Sequence, residues 1–506
     1  MALASTSCAA VEGVGAHIVT VEANVGPGLP GIHIVGLGDK AVGESRDRIR
    51  TAVANSALPW PRTKIMVSLS PASLPKAGSH YDLPIAVAVL ASMDPRAERT
   101  LKRSLIVGEL GLGGQLRRVD GILQMILAAL EAEDPLDHII IPAGNAAEAA
   151  LVGQENIKVA ESLGQVWRWA VGEAELAGLE DVPNIITPAP VLDFRDIVGQ
   201  HQARWAMEVA AAGGHHVFMV GSPGSGKSML AERLPSILPE LTPKQVVEVT
   251  AMHSISGNST GEVVMNAPFV APHPSLSRAA LIGGGGVPKP GAVTHAHHGV
   301  LFLDEVSEIA AGTLDALRVP LEKGEVRLTR ARREVIYPAN FQLVMAANPC
   351  RCGVDNAAAC TCNATARAKY LRNLSGPLLD RIDISLRLSS AGATIGAGNS
   401  EPSADIAQRV AQARERAAWR WAKAGLKAPT NARVSGAVLR RHFPADEAGM
   451  SVIGKELGEG NLTQRGVDRV LRLCWTIADL AEVDQPRLCD VFSAFELRAQ
   501  QAGVLA

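Results

Sequence analysis

Long apolar runs, an excess of one charge and a set of paired cysteines are all missing from this chain. No segment of the 506 residues is apolar for about 18 positions in a row, so the sequence predicts no membrane span. The first residues lack the basic start of a secretory signal. The 49 Lys and Arg residues nearly balance the 51 Asp and Glu residues, which restricts any nucleic-acid contact to a local patch. Seven cysteines are too few to form a disulfide framework in so long a chain, and we expect a reducing cytoplasm.

What is present is typical of soluble α/β structure. The length favours two to four domains, and apolar residues make up 47% of the chain. Strand-like and helical runs mix as α+β over residues 1–172, and a proline-rich linker lies within 173–193. Strands alternate with helices over 194–390, which predicts a mostly parallel sheet, and helical patterns dominate 391–506. The sequence therefore predicts an α/β multi-domain protein.

A glycine-rich loop follows the short apolar run at 216–220 and precedes an expected helix. It fits the pattern G-x-x-x-x-G-K-[ST], in which glycines let backbone N–H groups converge on phosphates at a helix N-terminus. Lys227 is expected to reach the β- and γ-phosphates, and Ser228 to hold Mg²⁺. The predicted ATP-binding residues of this loop are Gly221, Ser222, Pro223, Gly224, Ser225, Gly226, Lys227, Ser228 and Met229.

An apolar strand at 299–303 ends in two acids, Asp304 and Glu305. In a P-loop ATPase the first acid completes the Mg²⁺ shell and the second polarises the attacking water. A strand that ends in solvated acids is the plain alternative, but the phosphate loop in the same chain favours the catalytic interpretation. The two motifs together predict ATP hydrolysis.

Four of the seven cysteines lie close together in the pattern C-x-C-x₇-C-x-C, as Cys350, Cys352, Cys360 and Cys362. Four thiolates satisfy tetrahedral Zn²⁺, although C-x-C is tighter than the usual spacing. The alternative is four reduced thiols on a loop. We expect a structural zinc ion.

Arginines are concentrated in the segment 325–337, which has the pattern of two strands around a tight turn. They are Arg327, Arg330, Arg332 and Arg333. At the tip of a hairpin they would contact DNA phosphates and make binding strongly salt-dependent. The alternative is a solvated hairpin whose arginines pair with Glu325 and Glu334.

These motifs resemble the AAA+ ATPases, and within them the Mg-chelatase-like ComM/YifB family. The segments that carry the resemblance are 194–200, 288–291, 346–350, 375–383, 462–465 and 476–480. The resemblance implies a ChlI/Lon-like N-terminal domain (ribosomal S5 domain 2-like) at 1–172, a linker at 173–193 and an AAA+ core at 194–390. The core would carry a helix-2 insert, a presensor-1 hairpin and the four-cysteine loop. A C-terminal helical lid domain would follow at 391–506.

The resemblance also assigns roles near the nucleotide. Ile197 and Val198 would line the adenine pocket. Asn348 resembles the sensor-1 residue that positions the attacking water, and its alternative is a turn-forming Asn before Pro349.

Two arginines resemble residues that contact the γ-phosphate. Arg381 resembles the arginine finger, which acts in the neighbouring subunit's site; the alternative is an ion pair with Asp380 or Asp383. Arg465 resembles the sensor-2 arginine at the start of a lid helix, and the alternative is a solvated surface arginine.

The N-terminal region resembles Lon-type domains through 76–86 and 107–117. A Lon-type dyad needs a serine near Ser79 and a lysine further on, but the segment 120–125 has no lysine. A nucleophile without its base is inert, so we reject protease activity. Two roles for this N-terminal region stay as alternatives, an assembly collar and a DNA-binding collar.

An arginine that acts on the next subunit requires a ring, and the family implies a homo-hexamer. The implied function is an ATP-driven motor on single-stranded and branched DNA, a branch-migration helicase in natural transformation or homologous recombination, with recombination proteins as partners. Two alternatives are the ATPase subunit of a magnesium-chelatase complex and a ring scaffold with little turnover. The lid arginines are expected to solvate a helix; they are Arg409, Arg414, Arg416 and Arg420.

Overall fold

The computed structural model describes most of the chain. The described residues are 2–36, 38–182, 192–256, 261–285, 288–330, 333–354, 360–363, 370, 374, 376–389 and 400–505. Arg332 lies outside them, and Arg330 and Arg333 are described through their backbone alone. Within this part of the chain no helix has the length and apolar character needed to cross a bilayer.

The elements of the first part of the chain are β1 (Ala2–Glu12), β2 (Gly15–Gly26), β3 (Gly31–Val35), α1 (Lys40–Asn55), β4 (Lys64–Ser70), α2 (Asp82–Ala91), α3 (Glu98–Lys102), β5 (Ser104–Ile106), β6 (Glu109–Leu110), β7 (Leu116–Arg117), α4 (Ile122–Leu130), β8 (His138–Pro142), α5 (Ala146–Ala150), β9 (Ile157–Ala160), α6 (Leu163–Ala170) and β10 (Ala177–Gly178). Those of the middle part are α7 (His201–Gly213), β11 (Val217–Gly221), α8 (Lys227–Arg233), α9 (Pro243–Ser254), β12 (Phe269–Val270), α10 (Arg278–Ile282), β13 (Gly283–Gly284), β14 (Lys289–Pro290), α11 (Ala292–His295), β15 (Val300–Leu303), α12 (Ala311–Leu314), α13 (Arg318–Lys323), β16 (Glu325–Arg330), β17 (Arg333–Pro338) and β18 (Gln342–Ala347). Those of the last part are α14 (Gly376–Leu379), β19 (Ile384–Leu388), α15 (Ser403–Lys423), α16 (Gly436–His442), α17 (Glu447–Gly458), α18 (Gln464–Leu480) and α19 (Leu488–Leu505).

The chain forms two compact units. Unit 1 consists of Met1–Pro188, Thr242–Val264 and Thr329–Tyr337, and unit 2 consists of Ala189–Leu241, Met265–Leu328 and Pro338–Ala506. Two short segments from the middle of the chain therefore belong with the N-terminal residues. The four-part division expected from the sequence stays a prediction.

Unit 1 is built on an eight-stranded mixed sheet in the order β10-β9-β8-β5-β1-β2-β4-β3. Side chains of a strand point alternately to the two faces of the sheet, and one face is buried. In β4, for example, Ile65, Val67 and Leu69 are buried and the residues between them are more exposed. Helix α2 is apolar along most of its length and buried at every position. These elements mix strands and helices, as the sequence predicts for residues 1–172.

Helix α9 packs within unit 1. It begins with a capping box between Thr242 and Gln245. The Gln124 side chain donates to the backbone oxygen of Ala251 at 2.8 Å, and Ser254 accepts from the backbone N–H of Gly121 at 3.0 Å. These buried polar bonds explain why the segment that follows the phosphate-loop helix joins the N-terminal fold.

Unit 2 is built on a five-stranded parallel sheet in the order β12-β15-β18-β11-β19. All residues of β11, β15 and β18 are buried, as expected for a parallel sheet covered on both faces. The C-terminal helices belong to the same unit, where Trp421 packs edge-on against Phe443 and Trp475. The mixed α/β fold with a parallel sheet and C-terminal helices agrees with the predicted fold class.

The expectation that the lid arginines solvate α15 is wrong. Arg409 pairs with Glu208 at 2.6 Å, and Arg414 donates twice to the backbone oxygen of Ala211 at 2.9 and 2.6 Å. Burial lowers the pKa of Arg414 to about 10. These side chains attach α15 to helix α7, which leads into the phosphate-loop strand.

Replacing Arg420 by Ala is expected to lower the free energy of unfolding of unit 2 by about 3 kcal/mol, because it leaves the buried carboxylate of Asp479 without its charged partner. The matched control is Lys455→Ala, which breaks an exposed pair with Glu459 and should cost less than about 0.5 kcal/mol. Urea unfolding of the two variants measures the difference. Equal losses would contradict this interpretation.

Candidate active site

The phosphate loop connects β11 to α8, which begins at Lys227. Gly224 and Gly226 have φ values of +77° and +91°, which only glycine adopts readily. A Cβ atom at either position would extend into open space, so the loop encloses room for a ligand. The hydroxyl oxygens of Ser222 and Ser225 are buried without a hydrogen-bond partner among the described residues. The loop therefore has both the space and the spare polar atoms that a triphosphate would use.

Lys227 is buried, with 8% of its surface exposed. Its Nζ donates to the backbone oxygens of Gly221 at 2.7 Å and Ser222 at 2.8 Å. It also donates to Oδ1 of Asn348 at 3.2 Å. The structure thus brings together the loop lysine and the side chain that follows β18.

Ser228 and Asp304 also meet, with Oγ and Oδ2 3.0 Å apart. Two adjacent ligands of an octahedral Mg²⁺ ion lie about 2.9 Å apart, so these oxygens fit neighbouring positions of such a shell. The other carboxylate oxygen of Asp304 accepts from the backbone N–H of Glu305 at 2.8 Å. Glu305 is exposed and has a φ of 45°. The pair of acids follows β15 as the sequence predicts.

The residues expected around the adenine differ in exposure. Ile197 is only 3% exposed and belongs to the core of unit 2, and its carbonyl accepts from Ser400 at 3.1 Å. Val198 is 37% exposed, and Met229, predicted as the last ATP-binding residue of the phosphate loop, is 42% exposed. Val198 and Met229 therefore offer apolar surface to a ligand, whereas Ile197 supports the fold beneath it.

Arg381 lies at the opposite edge of the sheet. In the parallel pair of β11 and β19, Val217 is level with Ile384 and Gly221 with Leu388. Arg381 precedes β19, so it lies beyond the amino ends of the strands, whereas the phosphate loop follows their carboxyl ends.

Arg381 forms an ion pair with Glu322, and not with either acid that the sequence suggested. Its Nε atom is buried without a hydrogen-bond partner among the described residues. Asp380 instead lies 3.7 Å from Arg465, whose side chain is 75% exposed. Arg381 and Arg465 line the same polar cavity. The structure therefore brings these two arginines together, away from the phosphate loop of their own chain.

Comparison with known proteins matches the chain to one family over most of its length. Family models match residues 193–394 (magnesium chelatase, subunit ChlI), 21–145 (subunit ChlI of Mg-chelatase) and 400–498 (magnesium chelatase, subunit ChlI C-terminal). A protein of Mycobacterium tuberculosis is 46% identical over 503 residues, covering 98% of this chain and 99% of the relative. Competence protein ComM of Haemophilus influenzae is 38% identical over 97% of each chain. YifB of Salmonella typhimurium is 38% identical over 96% of this chain and 95% of its own.

The chain belongs to the Mg-chelatase-like ComM/YifB family. Membership confirms the resemblance drawn from the sequence motifs and identifies the chain as a ComM-like AAA+ ATPase. ATP and Mg²⁺ are the ligands that this family suggests, and the loop, Ser228 and Asp304 fit them.

The four cysteines of this ComM/YifB-family chain converge. Sγ of Cys350 lies 3.1 Å from that of Cys352 and 3.5 Å from that of Cys360, and all four sulfurs lie within 4.8 Å of one another. In tetrahedral zinc coordination the sulfurs lie about 3.8 Å apart, so the cluster could hold a metal ion. A hydrogen bond from the backbone of Val354, followed by the neighbouring thiols, lowers the pKa of Cys352 to about 6.

The cysteine cluster also lies beside the ATP site. It begins two residues after Asn348, and Gly353 approaches the phosphate loop so closely that a Cβ atom there would lie 2.8 Å from Pro223. A metal at the cysteines would therefore stabilise the end of β18 next to the loop.

The arginine-rich hairpin consists of β16 and β17. Arg327 is exposed and pairs with Glu325 at 2.8 Å, as in the alternative interpretation of this segment. The side chains of Arg330, Arg332 and Arg333 lie outside the description given by the structure. Their contact with DNA stays a prediction.

The rejection of protease activity stays a prediction, and the structure shows the surroundings of the residues concerned. The hydroxyl of Ser79 donates to Glu109. The later segment expected to hold the lysine of a dyad leads into α4, an apolar helix without lysine.

Sequence reasoning missed polar residues that support the site. Gln200 donates to the backbone oxygens of Ser225 at 3.4 Å and Ser389 at 3.2 Å, and thereby links the phosphate loop to the end of β19. Asp383 was considered only as a partner of Arg381, yet it is 5% exposed and bonds to His215. The one sequence signal for these roles was their place in the matching segments 194–200 and 375–383.

Proposed function

We propose that the chain is an ATP-hydrolysing hexameric ring motor acting on DNA, a branch-migration helicase that promotes integration of single-stranded DNA in natural transformation and homologous recombination. The observation that carries the proposal is the separation of two groups within unit 2. Lys227, Asn348, Ser228 and Asp304 meet at one edge of the sheet, and Arg381 lies at the other.

Each residue at the sheet edge that carries the phosphate loop has a defined role in the proposed hydrolysis. The loop N–H groups bind the phosphates, and Lys227 exchanges its bonds to loop carbonyls for bonds to phosphate oxygens. Ser228 and Asp304 hold Mg²⁺, which neutralises charge on the phosphates when bound. Glu305 accepts a proton from the attacking water, and Asn348 orients that water.

Arg381 completes the site of the next subunit. Its guanidinium leaves the exposed carboxylate of Glu322 and stabilises the charge that develops on the transferred phosphoryl group. Arg465 lines the same cavity and faces the same nucleotide. A head-to-tail interface of this kind closes into a ring, and the family favours six subunits.

DNA is the proposed substrate on two grounds. A full-length relative is named a competence protein, and the hairpin segment concentrates Arg327, Arg330, Arg332 and Arg333 in a chain of balanced charge. Recombination proteins that supply or accept the strands would be its partners.

A second candidate is the ATPase subunit of a metal-insertion complex, because the matching family models carry the magnesium-chelatase name. It shares the ATP site but needs no DNA. The response of turnover to DNA therefore distinguishes the two candidates.

The deciding experiment measures ATP turnover of the full chain with and without single-stranded and branched DNA. We expect DNA to stimulate turnover severalfold, and Lys227→Ala and Glu305→Gln each to reduce it by about a hundredfold or more. Glu305→Gln is the matched control for binding, since it should still bind ATP with Mg²⁺, whereas Lys227→Ala should not. Turnover that is indifferent to every DNA form would favour the metal-insertion candidate.

The hairpin has its own test. Arg332→Ala combined with Arg333→Ala is expected to weaken DNA binding about tenfold or more at 0.1 M salt and to reduce its salt dependence, because phosphate contacts are lost. Basal ATPase activity should stay unchanged.

The charge-matched control is Lys427→Ala combined with Lys455→Ala, two exposed lysines of unit 2 outside the hairpin. Fluorescence anisotropy with labelled single-stranded DNA over a salt series measures both variants. DNA affinity that survives the hairpin change would refute the hairpin contact.

We further propose that the four cysteines bind a structural zinc ion. Metal analysis of the purified chain is expected to find about one zinc per chain, and Cys352→Ser or Cys360→Ser should lose it. Cys489→Ser, an exposed cysteine outside the cluster, is the control and should keep the metal. A wild-type protein purified without chelators that contains no zinc would remove this proposal.

A further inference from the structure

A buried carboxylate lies two residues after the arginine proposed to act on the neighbouring subunit. Asp383 is 5% exposed, and its backbone N–H donates to the carbonyl of His216 at 3.2 Å, next to the start of β11. Its side chain is held from two further directions, by a histidine and by an arginine. The proposed steps of hydrolysis do not use this carboxylate.

The histidine is His215, which is completely buried at the end of the connection from α7 to β11. Its Nδ1 atom lies 3.0 Å from Oδ2 of Asp383, and its Nε2 atom lies 2.8 Å from Oγ1 of Thr476 on α18. A carboxylate only accepts hydrogen bonds, so Nδ1 carries the proton in the first bond. His215 therefore connects Asp383 to the middle of α18.

The arginine is Arg469, which lies one helical turn after Arg465 on α18. Its Nη1 donates to the backbone oxygen of Ile382 at 3.1 Å, and its Nε lies 3.7 Å from Oδ1 of Asp383. Arg469 is 9% exposed. This buried contact joins Ile382, the residue after Arg381, to Arg469, one helical turn after Arg465.

Asp383 is charged in this setting. Burial by itself would raise its pKa, but the hydrogen bond from His215, together with the charges of Arg469 and Arg472, lowers the pKa well below its usual range. The carboxylate thus balances a buried guanidinium. Breaking such a pair by removing one charge leaves the other charge buried without compensation.

We infer that Asp383 is a positioning residue that fixes Arg381 and Arg465 as one rigid pair for the nucleotide of the adjacent subunit. The inference rests on the proposed function, because it assumes that the two arginines act across a subunit interface. Asp383 touches neither ATP nor the reacting atoms. It fixes the backbone beside Arg381 and the helix turn beside Arg465, and displacements of about 1 Å at such groups reduce rates by up to a hundredfold.

Subunit mixing tests this role, with Asp383→Asn as the principal variant. Alone, it is expected to bind ATP with unchanged affinity, because its own phosphate loop is intact, while its kcat falls about tenfold to a hundredfold. Mixed with Lys227→Ala, whose own loop is inactive but whose Arg381 is intact, it should recover up to about a quarter of the wild-type turnover. Mixed with Arg381→Ala it should recover none, since neither subunit then presents a working arginine.

The mixture of Arg381→Ala with Lys227→Ala is the reference for the proposed function. If this reference recovers no turnover, the shared ATP site itself is wrong. If the reference recovers, the Asp383→Asn mixtures decide the inference. Three results would overturn the inference. Asp383→Asn could recover turnover with Arg381→Ala and not with Lys227→Ala, or it could recover turnover with neither partner. The third is a wild-type kcat for Asp383→Asn alone.

A matched pair at His215 keeps the inference testable should Asp383→Asn fail to fold. An asparagine at position 215 places a donor near the position of Nδ1 and retains the bond to Asp383. A glutamine there places a donor near the position of Nε2 and retains only the bond to Thr476. His215→Asn is expected to keep most of the wild-type kcat. His215→Gln is expected to lose about tenfold and to recover only with Lys227→Ala. Equal kcat values for the two variants would contradict the inference.

Discussion

The parallel register of the sheet in unit 2 is the constraint on which the rest of the site depends. Because β11, β15 and β18 run in the same direction, their carboxyl ends meet at one edge, and residues far apart in sequence meet there. The contact between Lys227 and Asn348 joins positions 121 residues apart. The same register places the start of β19, and with it Arg381, at the other edge. The separation of Arg381 from the phosphate loop is therefore a consequence of strand direction.

Burial of the loop lysine sets the electrostatics of the phosphate loop. An ammonium group in a poorly solvated position needs oxygen partners, and Lys227 obtains them from Gly221, Ser222 and Asn348. A triphosphate offers charged oxygens, which bind an ammonium more strongly than carbonyls do. ATP therefore replaces bonds that the chain already makes, and the loop does not have to bury a new charge. The oxygens of Ser228 and Asp304, 3.0 Å apart, likewise fit two neighbouring ligand positions of a Mg²⁺ ion.

Much of the candidate site was predictable because its signals are local. The glycine pattern, the apolar strand before Asp304 and the spacing of the cysteines each depend on neighbours in sequence. The partners of charged side chains were not predictable in this way. Arg381 pairs with Glu322, 59 residues away, and His215 with Asp383, 168 residues away, and no periodicity specifies such partners. The expectation that the lid arginines face solvent was wrong for the same reason. The sequence pattern of a charged helix face is the same whether that face contacts water or helix α7.

The ion pairs at the amino edge of the sheet fall into two physical classes, which differ in how far the paired side chains are exposed to water. The Glu322 side chain is 58% exposed and that of Arg381 is 15% exposed, so water reaches one partner of this pair and weakens its attraction. Asp383 and Arg469 are both nearly dry, and separating them would leave a charge uncompensated in the protein interior. The partly exposed pair is therefore the one that a new partner of Arg381 would replace, whereas the buried pair keeps the backbone beside Arg381 in place. Under the proposed function, the nucleotide of a neighbouring subunit would meet an arginine whose carboxylate partner is exposed and whose backbone is fixed.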